Sequence, residues 1–262
     1  MGGLAVGTLA LLAAFGLVGG IGITAVGPGG VLATIGLFVF TGLSPAAVSG
    51  TAIVTHLATG ALGTAAYWRS GQLRRHPEGN RPTRRTALIL ALAAVLGTPV
   101  GVLCNSVVSG RVFAVLLGIA VGATGILVWV RERSSARDGA REHQELPVAV
   151  IAVVGFAVAA AAGLFGVGGP MLSVPVLVAL GMPVLPALAA AQVQSVLIAG
   201  VGTVSYLAVG AINWPLAVLV GLPELAGVLI GWKIAHAVPA RTLKYALALV
   251  LIGLAPYLAL HG

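Results

Sequence analysis

The stretch Gly163-Leu164-Phe165-Gly166-Val167-Gly168-Gly169-Pro170 separates two apolar runs, Pro147 to Phe165 and Pro170 to Leu180. The first is long enough to cross a bilayer, which takes roughly 20 apolar residues as a helix. The second covers only 11 residues, or roughly 16 Å of helix, about half a crossing. The same arrangement occurs near the start of the chain, where Leu4 to Val26 is followed by Gly27-Pro28-Gly29-Gly30 and the short run Val31 to Thr41. Three further runs complete each half. They are Pro45 to Trp68, Thr86 to Cys104 and Val112 to Val130 in the first, and Pro186 to Val209, Pro215 to Ile234 and Thr242 to Leu260 in the second. The chain reads as five apolar segments (1–130), a polar linker (131–146) and five more (147–262).

Hydrophobic residues make up 59% of the 262 positions and charged residues 8%, with a mean hydropathy of +1.09. A soluble domain carries about 25% charged residues, so this chain cannot clothe a water-facing surface. A transmembrane β-barrel alternates over roughly ten-residue strands between aromatic girdles. Aromatics here are 5% and no alternation runs for long. The fold class expected is an all-α polytopic membrane protein. The 38 glycines suit it, because glycine lets helix backbones approach closely in lipid. The single cysteine, Cys104, excludes an intramolecular disulfide and any cysteine-rich metal site. The net charge of +8 sits in loops between apolar runs, where it reads as membrane orientation and not as nucleic-acid binding. No basic residue precedes the first run, which therefore reads as a retained helix and not as a signal peptide.

The two halves repeat. Shifted by 139 residues, Gly27 pairs with Gly166, Gly29 with Gly168, Gly30 with Gly169, Gly42 with Gly181 and Tyr67 with Tyr206. Eleven identities fall in the 45 ungapped pairs from Gly27 to Gly71. Further on the register slips, and Gly101-Val102-Leu103 and Arg111 best match Gly227-Val228-Leu229 and Arg241.

Charge orients the repeats. Arg69, Arg74, Arg75, Arg81, Arg84 and Arg85 crowd one connection, and Arg131, Arg133, Arg137 and Arg141 crowd the linker. The positive-inside rule puts both in the cytoplasm. Inverted repeats add Lys233, Arg241 and Lys244 to that side, giving thirteen basic residues inside and only Arg111 outside. Parallel repeats give ten against four. The expectation is inversion, both termini outside the cell inner membrane, and a solvated linker.

A helix broken at membrane depth frees backbone groups that must line a cavity or pack in protein. The start of the following helix offers free N–H groups and a partial positive charge, which suit an anion. Pro170 fits the first helical position. Inverted repeats bring the breaks at Gly29-Gly30 and Gly168-Gly169 toward the midplane, as in many secondary transporters. The bland alternative is that these glycines serve only close helix packing.

The third segment of each half adds Thr51, Thr55, Thr59 and His56, then Gln192, Gln194 and Ser195. Polar side chains at this depth face the interior or a wet cavity, although threonines often bond their own backbone. Gln194 is the repeat counterpart of Thr55, and Ser195 that of His56. Glu224 is the one acid within an apolar segment, with no base beside it in sequence. It is expected to couple protons, or else to sit near the surface or pair with Lys233 or Arg241. The first half has Thr98 in its place. His56 has no companion acid or cysteine nearby in sequence, and no phosphate-binding loop, zinc-protease or serine-hydrolase motif occurs. No cofactor, metal or catalytic residue is expected.

Two halves, each with a glycine-rich break before a short helix, resemble the TauE/SafE sulfite-exporter family. Gly163 through Pro170, followed by Pro175 and Gly181, is close to that family's pattern, and the resemblance covers essentially the whole chain. The first copy departs from it, with Gly36 in place of the proline and Pro28 among the glycines. The resemblance implies a secondary transporter, an exporter of sulfite, sulfoacetate or related organosulfonates. A channel on the same scaffold and an intramembrane enzyme are the alternatives, and homo-oligomerisation stays open.

Overall fold

The computed structural model describes residues 5–25, 27–69, 73, 81–135, 146–237 and 240–261. Among these residues the chain is all helix, without a strand. The elements are α1 (Val6–Ala25), a 3-10 turn (Pro28–Gly30), α2 (Val31–Thr41), α3 (Pro45–Arg69), α4 (Arg81–Val107) and α5 (Gly110–Ser135). There follow α6 (Val148–Phe165), α7 (Pro170–Ala179), α8 (Val184–Ala208), α9 (Trp214–Ala237) and α10 (Ala240–His261). Seven helices are long and apolar enough to cross a membrane, and the shorter apolar pieces are Pro28–Thr41, Pro170–Ala179 and Ala248–Leu260. The chain is a multi-pass all-α membrane protein. Leucines such as Leu92, Leu96 and Leu103 stand exposed along α4, as a helix facing lipid requires.

Each apolar segment became a helix, and several helices outrun their segments, α4 and α5 the furthest. The α4 helix takes in Arg81, Arg84 and Arg85, and α5 continues to Ser135, into the expected linker. Arginine is a good helix former, so helices extend beyond the apolar stretch. The rest of the linker, 136–145, and Arg74 and Arg75 lie outside the described residues.

Glycines set the helix pairing. An added Cβ on Gly16 or Gly20 of α1 would strike the carbonyls of Val220 or Glu224 of α9. On the other side of the same seam, Gly227 faces Leu17 and Gly231 faces Ile21. The α4–α6 seam is built alike, with Gly97 against Phe156, Gly101 against Ala160 and Gly163 against Thr98. In both seams the residue numbers rise together, so the helices run parallel. Contacts this close need residues without side chains, the usual device for helix association in lipid.

The α3–α8 and α5–α10 seams run the other way. Gly50 lies against Tyr206 and Ala211, Gly60 against Ser195 and Gly63 against Gln192. Likewise Gly118 lies against Ala255 and Ala259, and Gly125 against Ala248 and Ile252. The α3 helix therefore ends, at Arg69, on the opposite end of the bundle from the end of α8.

Candidate functional site

The α6 helix stops at Gly166, whose φ of 68° is left-handed and whose N–H returns to Ala162 O. Glycine takes this conformation at no steric cost. Stopping a helix inside the bundle frees the carbonyls of its last turn, and side chains from four other helices meet them. Tyr206 OH donates to Gly163 O at 2.7 Å. Leu164 O accepts from Ser49 Oγ at 2.8 Å and from Asn105 Nδ2 at 2.6 Å. Thr34 Oγ1 donates to Gly166 O at 3.3 Å. The break is a built feature, with three of its freed carbonyls taken by side chains.

The chain then restarts. Pro170 takes the first position of α7, as its missing N–H predicts. Backbone bonding runs from Val167 N–H, which reaches Ala162 O at 3.1 Å, to Met171 N–H, which reaches Gly168 O at 3.4 Å. Gly168 and Gly169 lie between these bonds.

The first break sits slightly earlier than the sequence suggests. Gly27 carries the unusual backbone, with φ 106°, and Pro28 already begins the 3-10 turn that leads into α2. Gly29 and Gly30 therefore belong to the restarted helix and not to the break. A proline's fixed φ suits a helix start, and here it advances that start from Val31 to Pro28.

The two breaks meet around a cavity of about 10 Å³, lined by Gly27, Gly30, Gly168, Pro170, Ile23 and Met171 together with His56, Thr59, Gln192 and Ser195. This is about the room one water needs. Its four polar side chains are each no more than 3% exposed, so little of its polar lining meets water. The position where Gly30 would carry a Cβ lies 2.7 Å from Cε1 of His56. That of Gly168 lies 3.1 Å from Ser195 Oγ and 3.6 Å from Cγ of His56. Both glycines are what let the imidazole and hydroxyl reach the space.

Six expected site residues thus come together: Gly30, His56, Gly168, Pro170, Gln192 and Ser195. The others lie elsewhere. Gly29 packs on Gly19 and Gly22 of α1, and Gly169 faces Ala191, Ser195 N and Ile198 of α8. Thr51 Oγ1 accepts the Asn213 N–H at 3.0 Å, and Asn213 Oδ1 in turn caps the start of α9 through the Leu216 N–H at 3.2 Å. Thr55 donates to Ala52 O at 2.9 Å and faces Gly221 of α9. Gln194 is turned away, accepting from Ser173 Oγ and donating to Gly155 O at 3.1 Å. It ties α8 to α7 and α6. The carbonyl-capping residues Ser49, Asn105 and Tyr206 went unrecognised in the sequence, although the matched pair Tyr67 and Tyr206 was a visible sign.

The apparent isolation of His56 and Glu224 is corrected by the structure. Each looks solitary in sequence, yet His56 Nδ1 lies 3.1 Å from Glu224 Oε1. Glu224 is wholly buried beside Gly20 of α1, so it neither reaches the surface nor needs Lys233, which is exposed. Arg241's side chain lies outside the described residues. Three atoms at the pair, Nε2 of His56 and both carboxylate oxygens, have no hydrogen-bond partner among the described residues. The two groups lie within ion-pair distance without an aligned hydrogen bond between them. Glu224 itself does not line the cavity; it stands behind the imidazole that does.

No curated protein and no solved structure matches the chain. The family model described as sulfite exporter TauE/SafE matches residues 12–258, which takes in both breaks, the cavity and every paired helix, and the chain belongs to that family.

Proposed function

We propose that this chain is a secondary transporter that exports small sulfur-containing anions, such as sulfite or organosulfonates, across the cell inner membrane. It works by alternating access around the cavity where the two helix breaks meet. Family membership supports the substrate class. The small, buried cavity is the observation that carries the mechanism. A channel keeps a continuous wide polar path, whereas here His56, Thr59, Gln192 and Ser195 are buried around a space of about 10 Å³. An anion larger than water needs that space to open, first to one side and then to the other.

The antiparallel α3–α8 and α5–α10 seams support inverted repeats at 1–130 and 147–262, and the basic connections favour both termini outside. Segments that correspond by sequence register run in opposite directions, as inversion requires. The lining carries no Lys or Arg. Recognition therefore rests on hydroxyl, amide and imidazole groups with the N–H groups near Gly168, which favours a singly charged anion.

The test has two arms. Thermal unfolding of the purified full chain is followed with sulfite, methanesulfonate, sulfoacetate and sulfate, and liposomes are assayed for counterflow. Stabilisation by a sulfur monoanion together with counterflow is expected. Flux without counterflow makes the protein a channel, and a panel without effect rejects the reading.

A further inference from the structure

Glu224 is the one acidic side chain among those whose surroundings the structure describes, and nothing of it reaches the surface. Its oxygens accept no hydrogen bond among the described residues, and Nε2, at the other end of the His56 ring, is equally without a partner. The groups facing the pair from neighbouring elements are uncharged. They are Gly20 from α1, Gly30 from the 3-10 turn, Gly168 ahead of α7 and Ser195 from α8, with Thr55 and Thr59 on α3 itself. Among the described residues there is no second titratable group here to share or offset a charge.

We infer that the His56–Glu224 pair is a proton site that fills when the anion binds, so that anion and proton move in the same direction. The inference rests on the transport reading above and adds the coupling ion to it. With a neutral imidazole and an ionised carboxylate, the pair holds a net negative charge directly behind the cavity. Like charges repel strongly where the surroundings polarise poorly, so this state refuses an anion. In the tautomer with its single proton on Nδ1, Nε2 carries a lone pair, and that nitrogen has no partner among the described residues. One added proton changes both features. The pair becomes an imidazolium facing a carboxylate, with no net charge, and Nε2 becomes an N–H donor.

The opposite half offers no second site of this kind. The repeat counterparts of His56 and Glu224 are Ser195 and Thr98, both hydroxyls. Uptake of about one proton per anion follows. A monoanion then crosses without net charge.

The test is calorimetry on the purified full chain, titrated with methanesulfonate, or with sulfite after subtracting its own proton uptake. Each titration is run in two buffers of different ionisation enthalpy. The parent is expected to take up about one proton per anion, with affinity falling about tenfold per pH unit on the alkaline side. Glu224→Gln removes the repelling charge from the proton-free state. Its proton uptake should fall toward zero and its affinity should change less than about twofold per pH unit. Glu224→Asp, which restores the charge, should restore the slope and serves where the Gln variant fails to fold. Anion binding to the parent without proton uptake overturns the coupling while leaving the transport reading intact. Unchanged uptake in Glu224→Gln also overturns it, by moving the proton elsewhere. If no sulfur anion binds the parent, the transport reading fails and takes the coupling with it.

Discussion

Nδ1 of His56 lies 3.1 Å from Oε1 of Glu224, joining α3 of the first half to α9 of the second with both side chains out of water. Removing one partner of such a pair strands the other, which typically costs about 3–5 kcal/mol. His56→Ala and Glu224→Ala should each destabilise the protein strongly. The double variant should lose less than the sum, with a coupling energy of about 1–3 kcal/mol. Reversible unfolding of the four proteins in mixed detergent measures this. Additive losses would mean that the two groups do not interact in the folded chain.

The glycine seams give a second expectation, independent of transport. A methyl group on Gly101 must displace the backbone of Ala160, and one on Gly20 the backbone of Glu224. Overpacking of this sort costs about 1–3 kcal/mol. Gly253 of α10 has nothing within 4 Å of its Cβ position, so Gly253→Ala should be neutral or gain up to about 1 kcal/mol from helix propensity. Melting temperatures from fluorescence-detected size exclusion separate the cases. Equal behaviour of Gly101→Ala and Gly253→Ala would remove the seam as an explanation for the glycine content.

Topology follows from the antiparallel α3–α8 seam. Trp68, at the end of α3, and Val209, just past α8, are both exposed and stand at opposite ends of the bundle. In a Cys104→Ser background, Trp68→Cys should react only from the cytoplasm and Val209→Cys only from outside. Impermeant maleimide on intact cells, compared with everted vesicles, reads this directly. Labelling of both from one side would end the inverted arrangement.

The segments were legible because bilayer thickness and apolar run length fix a helix almost without regard to its neighbours. The breaks were legible for a related reason, since a glycine cluster beside an undersized run has few other meanings in lipid. Partnership was not legible. His56 and Glu224 each look solitary because their closeness depends on how α3 packs on α9, and no local pattern encodes that. Gln194 is a similar case: a polar residue in an apolar run is expected to be buried, but the run does not say which side of α8 it occupies, and its partners are Ser173 and Gly155. Residues such as Asn105 and Ser49 gain their meaning only when the freed carbonyl of Leu164 is known to lie beside them.

Gln194 and Ser195 are neighbours in sequence, yet about 100° apart around the helix, and they should respond to substitution in opposite ways. Gln194 bridges Ser173 and Gly155 and is fully buried. Gln194→Ala takes the acceptor from the buried Ser173 hydroxyl and the second donor from the Gly155 carbonyl, at about 1–3 kcal/mol for a stranded buried group. Melting should fall, with anion affinity largely kept in the folded fraction. Ser195 lines the cavity and its hydroxyl sits 3.1 Å from the Cβ position of Gly168. Ser195→Ala removes a donor to a charged ligand, a bond that is typically about 1.5–3 kcal/mol. Affinity should drop tenfold or more, about 1.4 kcal/mol for each factor of ten, with little change in melting. Gly168→Ala should be the sharpest probe, because one methyl group occupies a space of only about 10 Å³. Its backbone is not left-handed, so the variant should fold and yet fail to bind. Calorimetry with methanesulfonate, beside a melting curve for each variant, reads all three. If Gln194→Ala loses affinity while Ser195→Ala and Gly168→Ala bind like the parent, the anion sits on the α6–α7 side of α8 and not in the cavity between the breaks.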